Sequence, residues 1–522
     1  MRARLPALTV AALAVAALVL RLPGAATRSL WLDEAWRANL AVAHSWTAFW
    51  SEVLGAGSGE IGAPLPPLFA LLLRGLALGV GRSAAGLRTL PLAASLAAVP
   101  LAYVVGRRSF GRGAGLAAAT CFACYPAAVT FGQELKQYSV DVVVVLGLLV
   151  LAERAVRRLD SPQPWGALVL AEGLAPGLSY PAALVLPGVA LGVLTACRTA
   201  RHVSLWAASQ ALAGAAALGW YIAIIGPQRA RPLTTAYWAH EFAPRQPAAL
   251  AHWVGVQLLG LADFALGRPI WLLALAALAG YLLAPRWLWV AALVVLGTVI
   301  VAATLRLYPF AATRTSLFLL PFVYLPWGAT VARLGALAAP ACAARRRDRA
   351  LGAAAFAAAV AMLAIPARGS LHPGAGLVRE ETAPLLDWLA ADRQPTDRVY
   401  VYCGAVPAFR FYHPEMDARI TFGGSHRRES AAYAAELERN LVPGERQWLL
   451  FAHVFPIPGG ESERDVILGA MRLYGRQIAV RETEGASLHL FEVTRAPGSV
   501  RHLRLSPEEM HDPERLRELL GR

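Results

Sequence analysis

Eleven stretches within the first 366 residues are predominantly apolar, and they bound the fold more tightly than any other feature. They run at about 5–22, 88–106, 113–130, 138–153, 165–179, 181–197, 204–225, 268–284, 286–304, 314–333 and 350–366. Runs of roughly 17–25 apolar residues match the thickness of a hydrocarbon core. A soluble helical protein would carry polar stripes along such segments, and these lack them. The expectation is a mainly α membrane protein with about eleven transmembrane helices. Only 16% of the residues are charged, which agrees.

The formal charge of +15 would suit a nucleic-acid partner if it lay on one surface. Instead the arginines gather in short loops between apolar runs, as "GRRSFGR" (106–112), "ERAVRR" (153–158), "CRTARH" (197–202), "PRW" (285–287) and "RLGALAAPACAARRRDR" (333–349). Basic residues concentrate on the cytoplasmic side of membrane proteins. That assigns these loops and the N-terminus, with Arg2 and Arg4, to the cytoplasm and argues for membrane lipids rather than nucleic acid as surroundings. The parity holds if "PLPPLFALLLRGLALGV" (64–80), with its Pro-Pro start and interior Arg74, lies along the outer surface without crossing. The opening residues mimic a signal peptide, but their apolar core exceeds the usual 7–15 residues, so an uncleaved first span is expected.

Five cysteines give no disulfide framework. Cys121 and Cys124 form a C-x-x-C inside an apolar run, where packing is the expected role, and Cys403 stands alone in the C-terminal part. The composition changes after residue 366. "RVYVYCGAVPAFRFY" (398–412) and "QWLLFAHVFPI" (447–457) read as strands. "APLLDWLAADR" (383–393) and "ERDVILGAMRLYG" (463–475) read as amphipathic helices, and "QIAVRETEGASLHLFEV" (477–493) as a closing hairpin. The division expected is a polytopic membrane domain over 1–366, an extracytoplasmic α/β domain over 367–500, and a charged tail over 501–522 with Ser506 capping a short helix.

Three polar stretches are expected at the outer face. "SLWLDEAW" (29–36) follows the first span and sets Asp33 and Glu34 between Trp31 and Trp36, an aromatic frame suited to the membrane interface. "FGQELKQYSVD" (131–141) packs Gln133, Glu134, Lys136, Gln137, Tyr138 and Asp141 between two spans; Lys136 is the single lysine of the chain. Ionisable groups at membrane depth are costly and mark function. Glu134, Tyr138 and Asp141, at i, i+4 and i+7, share a face if this stretch is helical. In "RLYPFAATR" (306–314), Arg314 opens a late span, where a guanidinium can hold a phosphate by paired hydrogen bonds. A longer outer loop is expected over 226–267, with Tyr237, Trp238, His240 and Glu241. Carboxylates beside cations fit transfer of a group from a phosphate leaving group. Proton relay in a transporter uses similar residues placed deeper.

In order, "SLWLDEAW", "PPLFALLL", "LRTLPLAASLAAVPLAYVVGRRSFG" and "FGQELKQYSV", with weaker similarity in "TRTSLFLLPF" (313–322), resemble the family 39-like glycosyltransferases of the GT-C type, related to protein mannosyltransferases and lipid A aminoarabinose transferases. The resemblance covers roughly residues 5 to 160 well. It implies a polyprenyl-phosphate-linked sugar as donor and chemistry on the extracytoplasmic face. It assigns the catalytic base to Asp33, with Glu34 beside it, gives Gln133, Glu134 and Tyr138 to the substrate pocket, and sets Arg314 near the donor phosphate. Lys136 falls where relatives often carry arginine. Leu65 departs from the pattern, since many relatives have histidine before the Pro-Pro pair. The implied mechanism is a single inverting displacement. Asp33 takes the proton of the acceptor hydroxyl, and the leaving lipid phosphate, already a stable anion, needs cations rather than a general acid. No metal-ligand spacing is present and no cofactor is assigned; a divalent ion on Glu34 or Glu134 stays open. So do the sugar and the acceptor, which a glycan, a lipid or a protein would each fit. A flippase of lipid-linked sugars would share the phosphate site without needing a base.

Overall fold

The computed structural model describes residues 5–55, 64–229, 238–267, 270–338, 346–371, 377, 379–415, 417–426, 430–457 and 462–497. Tyr237 and the tail helix expected at Ser506 lie outside them. The chain forms two units. One comprises residues 1–27 and 40–377, the other residues 28–39 and 378–522.

The first unit is helical. Its helices are α1 (Leu5–Thr27), α3 (Trp46–Val53), α4 (Pro67–Val80), α5 (Ala84–Phe110), α6 (Arg112–Cys124), α7 (Pro126–Phe131), α8 (Tyr138–Arg157), α9 (Pro162–Leu178), α10 (Ala182–Leu194), α11 (Ala200–Trp220), α12 (Gly226–Arg229), α13 (Pro247–Leu266), α14 (Ile270–Tyr281), α15 (Arg286–Thr304), α16 (Leu320–Ala338) and α17 (Arg346–Ala367). Helix α2 (Leu32–Ala41) begins in the second unit. Seven helical stretches among the described residues are long and apolar enough to cross a membrane. Large side chains such as Leu8, Val15, Leu212, Ile222 and Leu293 are exposed on them. In water that much apolar surface would drive aggregation; in lipid it is the solvated face.

One reading changes here. Residues 247–266, expected within an outer loop, form α13, one of the seven candidate spans. His252, Gln257 and Asp263 had masked the apolar majority of that stretch. Helix α4 has 14 residues, so it is about 21 Å long, short of the roughly 30 Å a crossing needs. Pro67, Phe69, Ala70, Leu73, Arg74 and Ala77 are its buried residues. Arg74 is part of that buried face and donates to the Ala41 carbonyl (2.8 Å) under the Trp46 ring.

Arg21, which a sequence reading would leave to snorkel at the end of a span, is fully buried. Helix α6 stops before Pro126, whose nitrogen has no proton to give the Phe122 carbonyl. Arg21 supplies the missing donors, to Phe122 O (2.7 Å) and Ala123 O (2.8 Å), and also bonds Ser95 Oγ (2.8 Å) and Ala17 O (2.9 Å).

The second unit, outside residues 28–39, is an α/β fold with a five-stranded sheet in the order β2-β1-β3-β5-β4. The strands are β1 (Arg398–Val401), β2 (Ile420–Phe422), β3 (Arg446–Ala452), β4 (Gly475–Thr483) and β5 (Ala486–Val493). Strand β1 runs parallel to both β2 and β3, with Val401 opposite Phe422 and Leu450, and β5 is antiparallel to β3 and β4. The helices are α18 (Ala383–Asp392), α19 (Val406–Tyr412), α20 (Ser430–Glu438) and α21 (Glu463–Tyr474). Stretch 398–412 is thus a short strand followed by a helix, since Pro407 at the helix start suits its fixed φ. The two-residue alternation of a strand divides the core. Val399, Val401, Trp448 and Leu450 pack with Leu385, Leu389 and Phe409. Tyr400, Tyr402, Leu449 and Phe451 pack with Leu437, Ile467 and Met471.

His489 on β5 is buried beside Phe451 and bonds Ser487 Oγ (3.1 Å). Burial, with the positive Arg464 and Arg472 behind it, pushes its imidazole down to about 4. The unfolded chain therefore binds a proton that the native domain refuses between about pH 6.5 and 4, so stability falls as the pH drops through that window. The loss expected is about 2 kcal/mol, below full conversion of the shift because the ring keeps some hydration. Hydrogen exchange of the β3 and β5 amides in the full-length protein should accelerate toward pH 4, and His489→Gln should flatten that dependence.

Candidate active site

The turn 132–137 links α7 to α8, and it is not solvated. Gln133, Glu134 and Lys136 are at most 2% exposed. The Lys136 amide donates to Glu134 O (2.7 Å), and Gln133 Nε2 to Val129 O (3.0 Å). The turn rests on the end of α1. A side-chain carbon on Gly132 would run into Ser95 and Arg21, and one on Gly24 into the Gln133 amide. Only glycine at both positions allows this approach, and Arg21 therefore forms the backing of the turn.

Because α8 begins at Tyr138, Glu134 precedes the helix and does not share a helical face with Tyr138 and Asp141. Tyr138 meets Phe131 edge-on at 5.8 Å. Asp141, in the first turn of α8, is 3% exposed and bonds the buried Ser179. Its Oδ1 has no hydrogen-bond partner among the described residues. Arg314, half-buried, opens a 3-10 turn (Arg314–Leu319) that packs against α7 and α8. The first unit thus places Gln133, Glu134, Lys136 and Tyr138 in and beside one turn, with the 3-10 turn that Arg314 opens packed against the flanking α7 and α8. It adds Asp141, Ser179 and Tyr308, of which Asp141 alone was visible in sequence.

Leu65, where the resemblance expects histidine, is 3% exposed and is held through its backbone. Gln228 accepts from Leu65 N (3.0 Å) and donates to Val53 O (2.6 Å) and Leu65 O (3.1 Å), and the Tyr180 hydroxyl bonds both Gln228 (2.8 Å) and Leu65 O (2.7 Å). The chain entering the Pro-Pro pair is fixed without an imidazole.

Asp33 and Glu34 occupy the first turn of α2, in the second unit, and their settings differ. Glu34 is fully buried and faces Arg28, itself 4% exposed, at 3.8 Å. Asp33 is half-buried. Removing one partner of a buried ion pair is strongly destabilising, so Glu34 has a structural duty toward Arg28. Among the described residues no three or more His, Cys, Asp or Glu side chains are grouped to hold a metal ion.

The protein is a multi-span membrane protein with the GT-C glycosyltransferase fold. It superposes on ArnT from Cupriavidus metallidurans in the apo state with a TM-score of 0.52 and 13% identity, over 92% of this chain and 97% of that one. It is also similar to the oligosaccharyltransferase AglB from Archaeoglobus fulgidus in complex with an inhibitory peptide and a dolichol-phosphate, at a TM-score of 0.51 and 11% identity, over 94% of this chain and 74% of that one. Residues 65–224 match the profile of the family described as dolichyl-phosphate-mannose-protein mannosyltransferase. No curated protein sequence matches the chain.

Proposed function

We propose that this protein is a membrane glycosyltransferase that moves a sugar from a polyprenyl-phosphate donor to an acceptor hydroxyl on the extracytoplasmic face, with its N-terminus cytoplasmic. The observation that carries the reading is the buried turn at 133–138, where an acid, an amide, a lysine and a tyrosine are desolvated together at the end of apolar spans and backed by Arg21. Such groups are costly in a membrane unless they serve a site. The complex of AglB with a dolichol-phosphate makes a lipid-phosphate donor the natural class.

In this reading the acceptor oxygen attacks the anomeric carbon as the bond from that carbon to the phosphate oxygen breaks. Asp33 takes the hydroxyl proton, and the sugar inverts. The lipid phosphate leaves as an anion facing Arg314 and Lys136, whose charges count for more away from water. Gln133, Glu134 and Tyr138 orient the sugar, while Glu34 holds Arg28 rather than reacting.

The test is release of lipid phosphate by purified protein in lipid, from mannose and arabinose donors linked to polyprenyl phosphate, over acceptors comprising a serine peptide, an oligosaccharide and a glycolipid. Turnover with one donor names the sugar; none with any donor would favour a flippase. Arg314→Ala should weaken binding of undecaprenyl phosphate by about 10–100-fold, the worth of about one charge-assisted hydrogen bond. Arg314→Lys should recover part of it, because the charge remains and the paired geometry does not. Unchanged binding in Arg314→Ala would remove Arg314 from the phosphate site.

A further inference from the structure

The segment that carries Asp33 is stitched into the second unit by side chains from far along the chain. Glu381 accepts from Ser29 N (2.9 Å), the Tyr412 hydroxyl from Leu30 N (2.8 Å), and Glu380 Oε2 from Leu32 N (3.0 Å). Ser29 Oγ in return accepts from Ala383 N at the start of α18 (3.1 Å), and Asn39 donates to Pro407 O (2.8 Å). Leu32 is the first residue of α2, where amides have no partner inside the helix. Glu380 therefore serves as a cap delivered from elsewhere in the sequence, one residue before Asp33.

Glu380 is itself held on both sides. It is 4% exposed, and its Oε1 takes a hydrogen bond from His453 Nδ1 at 2.6 Å. His453 directly follows β3 with φ +49, a conformation that non-glycine residues adopt at a cost of about 1–3 kcal/mol. Its ring also stacks on Trp31, with centroids 6.2 Å apart and planes at 27°. The backbone beneath Glu380 is clamped by the β4–β5 turn. Glu381 N donates to Glu484 O (2.9 Å), and Thr483 Oγ1 to Glu381 O (2.8 Å). Gly485, at φ +74, lies so close to Arg379 O that a side chain would clash.

We infer that Glu380, oriented by His453, is a positioning residue: it fixes the first turn of α2 and thereby the carboxylate of Asp33. The inference rests on the reading of Asp33 as base, and two readouts on full-length protein in lipid nanodiscs separate their failures. Hydrogen exchange over residues 28–36 reports the cap. Release of lipid phosphate from dolichyl-phosphate mannose over the acceptor panel reports the base.

Glu380→Ala should speed exchange over 28–36 by about tenfold or more, leave the β3 amides as in wild type, and lower kcat about 10–100-fold, with the donor KM within twofold. Glu380→Gln keeps an oxygen for Leu32 N and should restore protection and at least a third of kcat. Asp33→Asn should leave exchange unchanged. If Glu380→Ala does not fold, Glu380→Asp, one methylene short, carries the same expectation of lost protection and lost kcat. Unchanged exchange over 28–36 in the folded variant, or equal losses in Glu380→Gln and Glu380→Ala, would overturn the positioning role. Full turnover in Asp33→Asn, with protection over 28–36 lost in Glu380→Ala, would overturn the base and leave the cap standing.

Discussion

Asp33→Asn is expected to lower sugar transfer by about 10²–10⁴-fold, the range that a positioned general base supplies, while undecaprenyl phosphate binds as before. The amide keeps the size and most of the hydrogen bonding of the carboxylate and loses only its ability to take a proton. The contrast that makes the result specific is Glu34→Gln. Glu34 is buried against Arg28, so its loss breaks a buried ion pair and should cost about 3–5 kcal/mol of stability. A lowered melting temperature is expected for Glu34→Gln and an unchanged one for Asp33→Asn. Transfer by Asp33→Asn at the wild-type rate would end the assignment of Asp33 as base.

Arg21→Leu should destabilise the membrane unit by about 3–6 kcal/mol. The Phe122 and Ala123 carbonyls lose donors that the chain around Pro126 cannot replace, at roughly 1–3 kcal/mol for each buried group left unmet, and Ser95 and Ala17 lose theirs as well. Arg21→Lys should recover less than half, because one ammonium cannot reach four acceptors lying in different directions. Thermal unfolding in detergent measures both. Since Gly132 packs on the same guanidinium, binding of undecaprenyl phosphate should fall in parallel. A variant that melts as wild type would mean water fills the position and satisfies the carbonyls.

The parts legible in sequence were those with a local signature. Apolar runs marked the membrane helices, "QELKQY" marked the polar turn, and the composition change after 366 marked the α/β domain, including its closing hairpin. Helix α13 was misread because three polar residues outweighed an apolar majority. The face proposed for Glu134, Tyr138 and Asp141 failed because a run of polar side chains does not disclose where a helix begins. Arg21 was passed over for a different reason. A span-end arginine looks alike whether it reaches the headgroups or turns inward, and only the distant Tyr125-Pro126 break decides. The ties of residues 28–39 to Glu380, Glu381 and Tyr412 span about 350 positions, and no window along the chain contains both ends.

That separation imposes an order on synthesis. The first span can insert early, but the acid-bearing segment belongs with residues 378–522 and must stay unplaced while some 340 intervening residues are made. At roughly 5–20 residues per second this is on the order of 20–70 s. Through that interval a nascent chain can hold its membrane helices and still lack a fixed base. With Asp33 as the proposed base, chains that stall or are cut before Glu380 lack the cap on α2 and are expected to release little lipid phosphate from a lipid-linked sugar.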